Sequence, residues 1–568
     1  MSQFVLTYGP GAIRESQYGP RVILEPGCGL FGDTLSPERL EIGGVRLPEN
    51  LGSLKVFRPP TPEEGRWRTK PFPEWRLCTE CWILYRTRCP SCGTGRRSQA
   101  IRFVLACPAG HLDDLDWNRL VHGATRCGRT DGFEWRGGHA SVGRITLVCP
   151  SCGKQRSMAD AYSMQWPCSG RRPEREPPDS PASRPGCSSV AQVIQRQSVN
   201  LRVADILSVL TVPPRHTALH RLLSSPPVLS YLAALGDPSQ VGNPDEFERF
   251  LDAVRNQARR GLIPEHLPEA LGQCSPEEIA VAALDLLERR PETYRELLQE
   301  EMDALLKAAV RGSGGDSESF RIDPSRVRRI RSEAWGALTV APVSRLRVTL
   351  IQTGYRRFVG PSVENVERVD IGWQSSTGDV WYPGIQYVGE GILIFREADR
   401  PDPVLRGDAF DAWSAARDDR SLYGRVVFRS DDRDELHPGF VWWHTFSHLI
   451  IRALGRHSGY GAAAIRERIY FRTAGSGVQG ALLLYTAHPG SEASLGGLVG
   501  LVPGFETVLN LALEHLLYCS NGHLCESLRF RPGSHGGAAC YGCCIVSETS
   551  CDHRNMWLDR HILLENLP

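Results

Sequence analysis

The stretch CTECWILYRTRCPSC, Cys78 to Cys92, decides how this chain folds. Two thiolates separated by two residues grip one tetrahedral ion from a single turn, and a second such turn closes a four-cysteine shell. Gly93 follows the second pair, where a tight turn needs a residue without side-chain clash. Cys78, Cys81, Cys89 and Cys92 are therefore read as one structural zinc site. Of the 18 cysteines, all but Cys28 and Cys274 fall in two blocks, Cys78 to Cys187 and Cys519 to Cys551.

The first block supplies ligands for two more ions. Cys107-x3-His111 begins a set completed by His122 and Cys127, and Cys149-x2-Cys152 begins a set completed by Cys168 and Cys187. Zinc suits both ligand sets. An interleaved arrangement, with Cys107 and His111 joined to Cys149 and Cys152 and His122 left on the surface, remains open, because order along the chain does not fix connectivity. In the second block Cys540-x2-Cys543 is the anchor pair, with Cys525 and Cys551 as outer ligands. Cys519, His523 and His553 are alternatives for an outer position, and Cys544 reads as a core thiol. Every set has four protein ligands, whereas a catalytic zinc keeps a position open for water. Three or four structural zinc ions and no catalytic metal are expected.

The 568 residues are too many for one core. A hydrophobic fraction of 41% and a net charge of +1 describe an ordinary globular chain with no global field toward nucleic acid or membrane. The N-terminus MSQFVLTYGPGAIRES has no basic stretch followed by an apolar run, and the longest apolar pieces, such as Phe440–Trp443 and Ala481–Tyr485, are of core length. A cytoplasmic protein is expected, and in that reducing compartment paired thiols bind metal rather than form disulfides.

Texture along the chain predicts an α+β, multidomain protein. Residues 1–75 are Gly/Pro-rich with short strands (Phe4–Thr7, Arg21–Leu24, Ser53–Phe57), and 76–190 form a multi-zinc region with strands at Ile101–Leu105 and Arg144–Val148. Within it Arg171–Pro185 reads as a flexible loop. Residues 191–315 are mainly helical, with apolar spacing of three and four in Pro244–Arg260, Pro276–Arg290 and Glu292–Val310. Residues 316–568 form a mixed α/β domain closed by the last zinc site. Its expected strands are Arg347–Gln352, Trp381–Ile385, Gly391–Arg396, Gly424–Phe428, Arg468–Arg472 and Gly480–Thr486, with helices over Trp442–Leu454 and Glu506–Tyr518.

Catalytic signatures are missing. Gly27–Thr34 (GCGLFGDT) has the glycine spacing of a phosphate loop, but Asp33 stands where the lysine belongs. His444 and His448 share a helix face as metal ligands do, yet no acid partners them nearby in sequence. A packed core helix with hydrogen-bonded histidine tips is the reading. Arg96-Arg97, Arg171-Arg172, Arg328-Arg329 and Arg356-Arg357 are either solvated faces or phosphate contacts.

The C-terminal runs WWHTFSHLIIRAL, GYGAAAIRERIY, GALLLYTAHPGSEASLGGLVGL and AACYGCCIVSETSCDHRNMWLDR resemble the four-cysteine helicase-associated domain of unknown function. With YGPGAI, RFVLACPAGHLDDLDW and QRQSVNLRVADILSVLTVPP toward the N-terminus, the chain resembles the DrmB-like proteins of the DISARM anti-phage defence system. That resemblance implies a subunit without ATPase motifs. It implies a heterodimer with a separate superfamily-two helicase, DrmA, that binds DNA beside a methyltransferase marking self DNA. It also carries the four-cysteine site onto Cys525, Cys540, Cys543 and Cys551. No membrane and no small-molecule substrate are implied. A metal-dependent nuclease or hydrolase, and a scaffold without DNA contact, are the competing readings.

Overall fold

The computed structural model describes residues 2–567 except 27–36, 44, 46, 49–50, 52–53, 62, 65–66, 94–96, 126, 128–131, 138–140, 178–181, 213–217, 288–291, 313–318, 360–365, 376–377, 398–401, 403, 419–436, 459, 475–476, 488–496, 532–533 and 535. The GCGLFGDT stretch with Cys28, Arg96 and the strand expected at Gly424–Phe428 lie outside the described residues.

The first segment, expected as a strand at Phe4–Thr7, is a short helix, Ser2–Leu6. Val5 and Leu6 point one way from that turn and bury against Leu210, Met302 and Leu305. The YGPG turn that follows needs its glycine. Gly11 has φ +80°, and a Cβ there would stand 2.8 Å from the Tyr355 ring.

Between residues 76 and 195 the chain builds two small antiparallel sheets. One runs, edge to edge, Gln155–Ser157, Thr146–Val148, Gly132–Arg136, Ile83–Tyr85, Arg76–Cys78 and Ser98–Ala100. The other runs Trp166–Pro167, Val190–Gln195, Phe103–Ala106 and Leu112–Asp114. Their strands have two to six residues each. Trp117, Trp166 and Phe133 fill the core between them. Strands this short bury little apolar surface, so the thiol clusters at their ends carry much of the stapling.

Two arginine pairs read as surface features are internal. Arg171, at the start of the segment expected to be flexible, is 1% exposed. It donates to Glu176 at 3.0 Å, Asp113 at 3.0 Å and Glu74 at 2.5 Å, tying the loop to both small sheets. Arg357 is fully buried and donates to the carbonyls of Gly110 and Leu201, each at 3.0 Å. Arg356 donates to Val366 O at 2.8 Å. A guanidinium has five donors, and three separate loops supply the acceptors, so burial is tolerated.

The helical middle follows its periodicity. Pro244–Arg259 is capped by the Asn243 side chain and buries Phe247, Phe250, Leu251 and Val254. At Ser275 the expected helix start is a reciprocal capping box: Glu278 N donates to Ser275 Oγ at 3.2 Å, and Ser275 N to Glu278 Oε2 at 2.9 Å.

The largest layer is a ten-stranded sheet, antiparallel but for one edge pairing. Its strands used below are β1 (Leu54–Phe57), β2 (Val203–Leu210), β3 (Gly336–Arg356), β4 (Val380–Phe395), β5 (Ile465–Ala474) and β6 (Gly477–Thr486). The central order is β2-β3-β4-β6-β5, and β1, far away in sequence, runs parallel to β4. Two strands were expected in 381–396, and β4 is one continuous strand. The interruption at Gly389 and Gly391 is close packing: a Cβ at Gly389 would sit 2.5 Å from Thr486 Oγ1, and one at Gly391 2.6 Å from Leu484 O. The ladder to β3 shifts register at that point, between Val343 and Leu346.

Among the helices of the core on one face of this sheet are α1 (Pro438–Ser458), α2 (Phe505–Leu517) and α3 (Arg560–Leu564). Every residue of α1 from Pro438 to Ile451 is buried. A helix apolar on all sides belongs inside a large core, and α1 places His444 and His448 there. The fold is thus mixed α+β, with small metal-ligand sheets at the N-terminal side and a helix-covered antiparallel sheet at the C-terminal side.

Candidate metal centres

In the first cluster, Cys78 Sγ and Cys92 Sγ are 3.8 Å apart, and the ligand atoms of Cys78, Cys81, Cys89 and Cys92 all lie within 4.8 Å of one another. A tetrahedron with ~2.3 Å metal–sulfur bonds has edges of about 3.8 Å, whereas a disulfide would bring two sulfurs to about 2.05 Å. All the described cysteines are free thiols. The knuckle is made by backbone: Gly93, at φ +69°, donates N–H to Cys89 O at 3.0 Å. The same turn recurs at Gly153, φ +71°, donating to Cys149 O at 2.9 Å.

The middle block forms two clusters, partitioned differently from the expectation. Cys107 and His111 join Cys168 and Cys187, and His122 and Cys127 join Cys149 and Cys152. All eight residues are in clusters; the halves are exchanged. The reason is topological. Phe103–Ala106 pairs with Val190–Gln195, which draws the Cys168 and Cys187 loops to Cys107, while Trp117–His122 lies against Gln155–Ser157 and sets His122 beside the Cys149 knuckle. His111 presents Nδ1 to Cys107 Sγ at 3.3 Å, and His122 presents Nε2 to Cys152 Sγ at 3.3 Å. His122 Nδ1 faces Asn118 O at 3.1 Å, which fixes the tautomer that leaves Nε2 as a ligand. A hydrogen bond from the Cys168 thiol, opposed by burial and aided by His111, holds Cys107 down at about 4, while Cys168 is pushed up. Burial raises the Cys149 thiol, but the Cys152 and Ser151 amides and His122 outweigh it and hold it at about 6. Crowded thiols share one negative charge between them; a divalent cation lets all of them ionise.

The terminal cluster also departs from the expectation, in one ligand. Cys519, not Cys551, joins Cys525, Cys540 and Cys543. Cys519 Sγ is 3.4 Å from Cys540 Sγ, and Cys543 Sγ is 3.7 Å from both Cys525 Sγ and Cys540 Sγ. Cys519 follows directly on α2, so that helix delivers it to the knuckle. Cys544 is buried and hydrogen-bonds Cys543, which is held down to about 4 by that bond against burial, with the Arg560 guanidinium acting in the same direction as the bond. A buried cation there offsets the excess charge of four thiolates. The chemistry of the four Cys-rich donor sets fits zinc; none leaves a position filled only by water or carboxylate.

Cys551 lies instead beside α1. His444 Nε2 is 3.2 Å from Cys551 Sγ and 3.0 Å from Glu467 Oε1, and His448 Nε2 is 3.3 Å from the same oxygen. The acid partner that His444 and His448 lack in sequence is Glu467, brought from β5 by the sheet. In the sequence Glu467 is a single acid with no visible pairing. His448 Nδ1 faces Cys544 O at 2.8 Å, so the histidine tips are hydrogen-bonded inward as read. A cavity of about 1100 Å³ opens nearby, walled by Arg368, Arg466, Arg554, Asp205 and Asp552. Three of its arginines are matched by acids, Arg466 to Asp552 at 2.6 Å, Arg368 to Asp370 at 3.0 Å and Arg554 to Asp205.

Residues 446–544 match the MrfA Zn-binding domain. Its matched span contains Cys519, Cys525, Cys540 and Cys543 and stops short of Cys551 and His553, in agreement with the geometry of the terminal cluster. Residues 1–203, which hold the other three Cys-rich clusters, match a domain of unknown function, DUF8724. A DISARM protein DrmB from Bacillus paralicheniformis is 27% identical over 534 residues, covering 88% of this chain and 89% of that protein. The resemblance carried by the motifs thus extends over nearly the whole chain. A crystal structure of the DUF1998 helicase MrfA bound to DNA aligns with 41% of this chain and 23% of that one, at 10% identity and a TM-score of 0.20, too distant a likeness to argue from. Among the described residues, no helix is long and apolar enough to cross a membrane.

Proposed function

We propose that this chain is a non-catalytic, zinc-bearing, cytoplasmic subunit of a bacterial anti-phage defence complex. It pairs with a separate superfamily-two helicase of the DrmA type and contributes to binding foreign DNA. The observation that carries the reading is the near full-length similarity to a DISARM protein DrmB. Each Cys-rich cluster holds one structural zinc: Cys78, Cys81, Cys89 and Cys92; Cys107, His111, Cys168 and Cys187; His122, Cys127, Cys149 and Cys152; Cys519, Cys525, Cys540 and Cys543.

The terminal zinc module supports a docking role. Around its knuckles Tyr518, Leu524 and Tyr541 stand 76%, 82% and 81% exposed, and Leu517 and Leu528 are also exposed. Apolar side chains gathered on one small module are characteristic of a partner-binding face.

Co-expression with a superfamily-two helicase of the DrmA type tests the reading. The expected result is a heterodimer that survives physiological salt, weakened at least tenfold by Leu524→Glu with Tyr541→Glu. A chain that stays monomeric with that helicase present sinks the proposal. DNA affinity of the pair across a salt series separates a DNA-binding subunit, with a steep slope, from a scaffold with none. Metal-dependent cleavage lost in His444→Ala would favour the nuclease reading instead.

A further inference from the structure

We propose a fifth metal site, formed by His444, Glu467, Cys551 and His553, that takes one zinc-like divalent ion and clamps the C-terminal loop to the core. Their ligand atoms all lie within 4.8 Å of one another, the same spacing as in the Cys-rich clusters. The site is assembled from three places: His444 on α1, Glu467 on β5, and Cys551 and His553 on the loop that follows the terminal zinc knuckle. His444, Glu467 and Cys551 are buried, and His553 is half-buried.

Three features point to a cation rather than to a hydrogen-bonded core. First, His444 Nε2 faces two acceptors at once, Glu467 Oε1 at 3.0 Å and Cys551 Sγ at 3.2 Å. One N–H cannot serve both well, whereas a metal among the three atoms is bound by all of them. Second, the Cys551 sulfur accepts two backbone N–H groups, from His553 at 3.3 Å and Asn555 at 3.2 Å. The Cys540 sulfur of the terminal cluster is cradled in the same way, by Gly542 N at 3.3 Å. That cradle is what a metal-bound thiolate needs. Third, Glu467 places a buried carboxylate beside the Cys551 sulfur, and a divalent ion would neutralise that anionic donor in the dry core. His448 and Ser447 hydrogen-bond Glu467 and aim it, as outer partners of a ligating carboxylate do.

Two histidines, a carboxylate and a thiolate are borderline donors that suit zinc. Arg554 and Asn555, next in the chain, both take positive φ, +56° and +59°. Two successive non-glycine residues held in that region are consistent with a loop fixed by ligation at Cys551 and His553.

The test is the metal content of the full chain purified without chelator. The expected count is five zinc per chain, falling to four in His553→Ala, the least buried ligand, with the other clusters intact. Four ions in the unmodified chain, or five retained in His553→Ala, overturns the site. A zinc-edge anomalous difference map of the unmodified protein needs no variant. A peak among the four side chains supports the site, and its absence while the Cys-rich peaks are present overturns it.

Discussion

Glu25 shows how a single buried residue ties stability to pH. Burial and the neighbouring Glu174 raise its carboxyl from about 4.5 to about 7, against the pull of Arg175, whose Nε donates to it at 2.9 Å. The folded state holds the proton more tightly than the unfolded chain. Its contribution is therefore complete below pH 4.5 and lost as pH rises through 7. At ~1.4 kcal/mol per pKa unit the loss is up to ~3 kcal/mol. Asp114, raised to about 7 by burial and by Asp113, acts in the same direction. Glu25→Gln should flatten the decline in melting temperature between pH 5 and 8; an unchanged decline would remove Glu25 as its cause. Arg171 and Arg357 teach the same lesson about burial. Paired basic residues look like a phosphate surface in sequence, and only the acceptors arriving from distant loops show that they serve the fold.

At the scale of elements, the helix α1 and the strand β6 decide the C-terminal core. Gly480 lies under the Trp443 indole, and a Cβ there would come within 1.8 Å of its Nε1. Gly480→Ala forces either the tryptophan off its rotamer or the helix off the sheet. A loss of about 1–3 kcal/mol in denaturant unfolding is expected; a neutral result would mean that α1 shifts freely on the sheet. The histidines of α1 were read as core residues from their apolar neighbours, and they are. Their acid was invisible because β5 lies in another part of the sequence and reaches them only when the sheet closes. The strand expected at the start of the chain fails the other way round. Phe4–Thr7 has the composition of a strand, but Val5 and Leu6 reach the core from a helical turn.

For the whole molecule, metal and fold are coupled most strongly where strands are shortest. Structural zinc sites contribute ~10–16 kcal/mol of folding free energy in small modules, as much as the whole stability of a typical domain, ~5–15 kcal/mol. Stripping metal with a strong chelator should open residues 76–190 to limited proteolysis while the segment from β3 to β6 stays protected, read by mass spectrometry of the fragments. Equal protection of both regions after metal loss would show that the small sheets stand without their ions.

What the sequence determined by itself was the chemistry. Cysteine spacing marked the knuckles, since a C-x2-C pair is a local object that one turn completes, and the long C-terminal motifs marked the relationship to DrmB-like proteins. Tertiary structure alone decided which knuckle meets which: the exchange of Cys168 and Cys187 with His122 and Cys127, the entry of Cys519 in place of Cys551, and the gathering of His444, Glu467, Cys551 and His553. Those choices depend on strand pairings such as Phe103–Ala106 with Val190–Gln195, contacts across about ninety residues. A four-coordinate ion is indifferent to the order in which the chain supplies its ligands, so only the folded topology selects them.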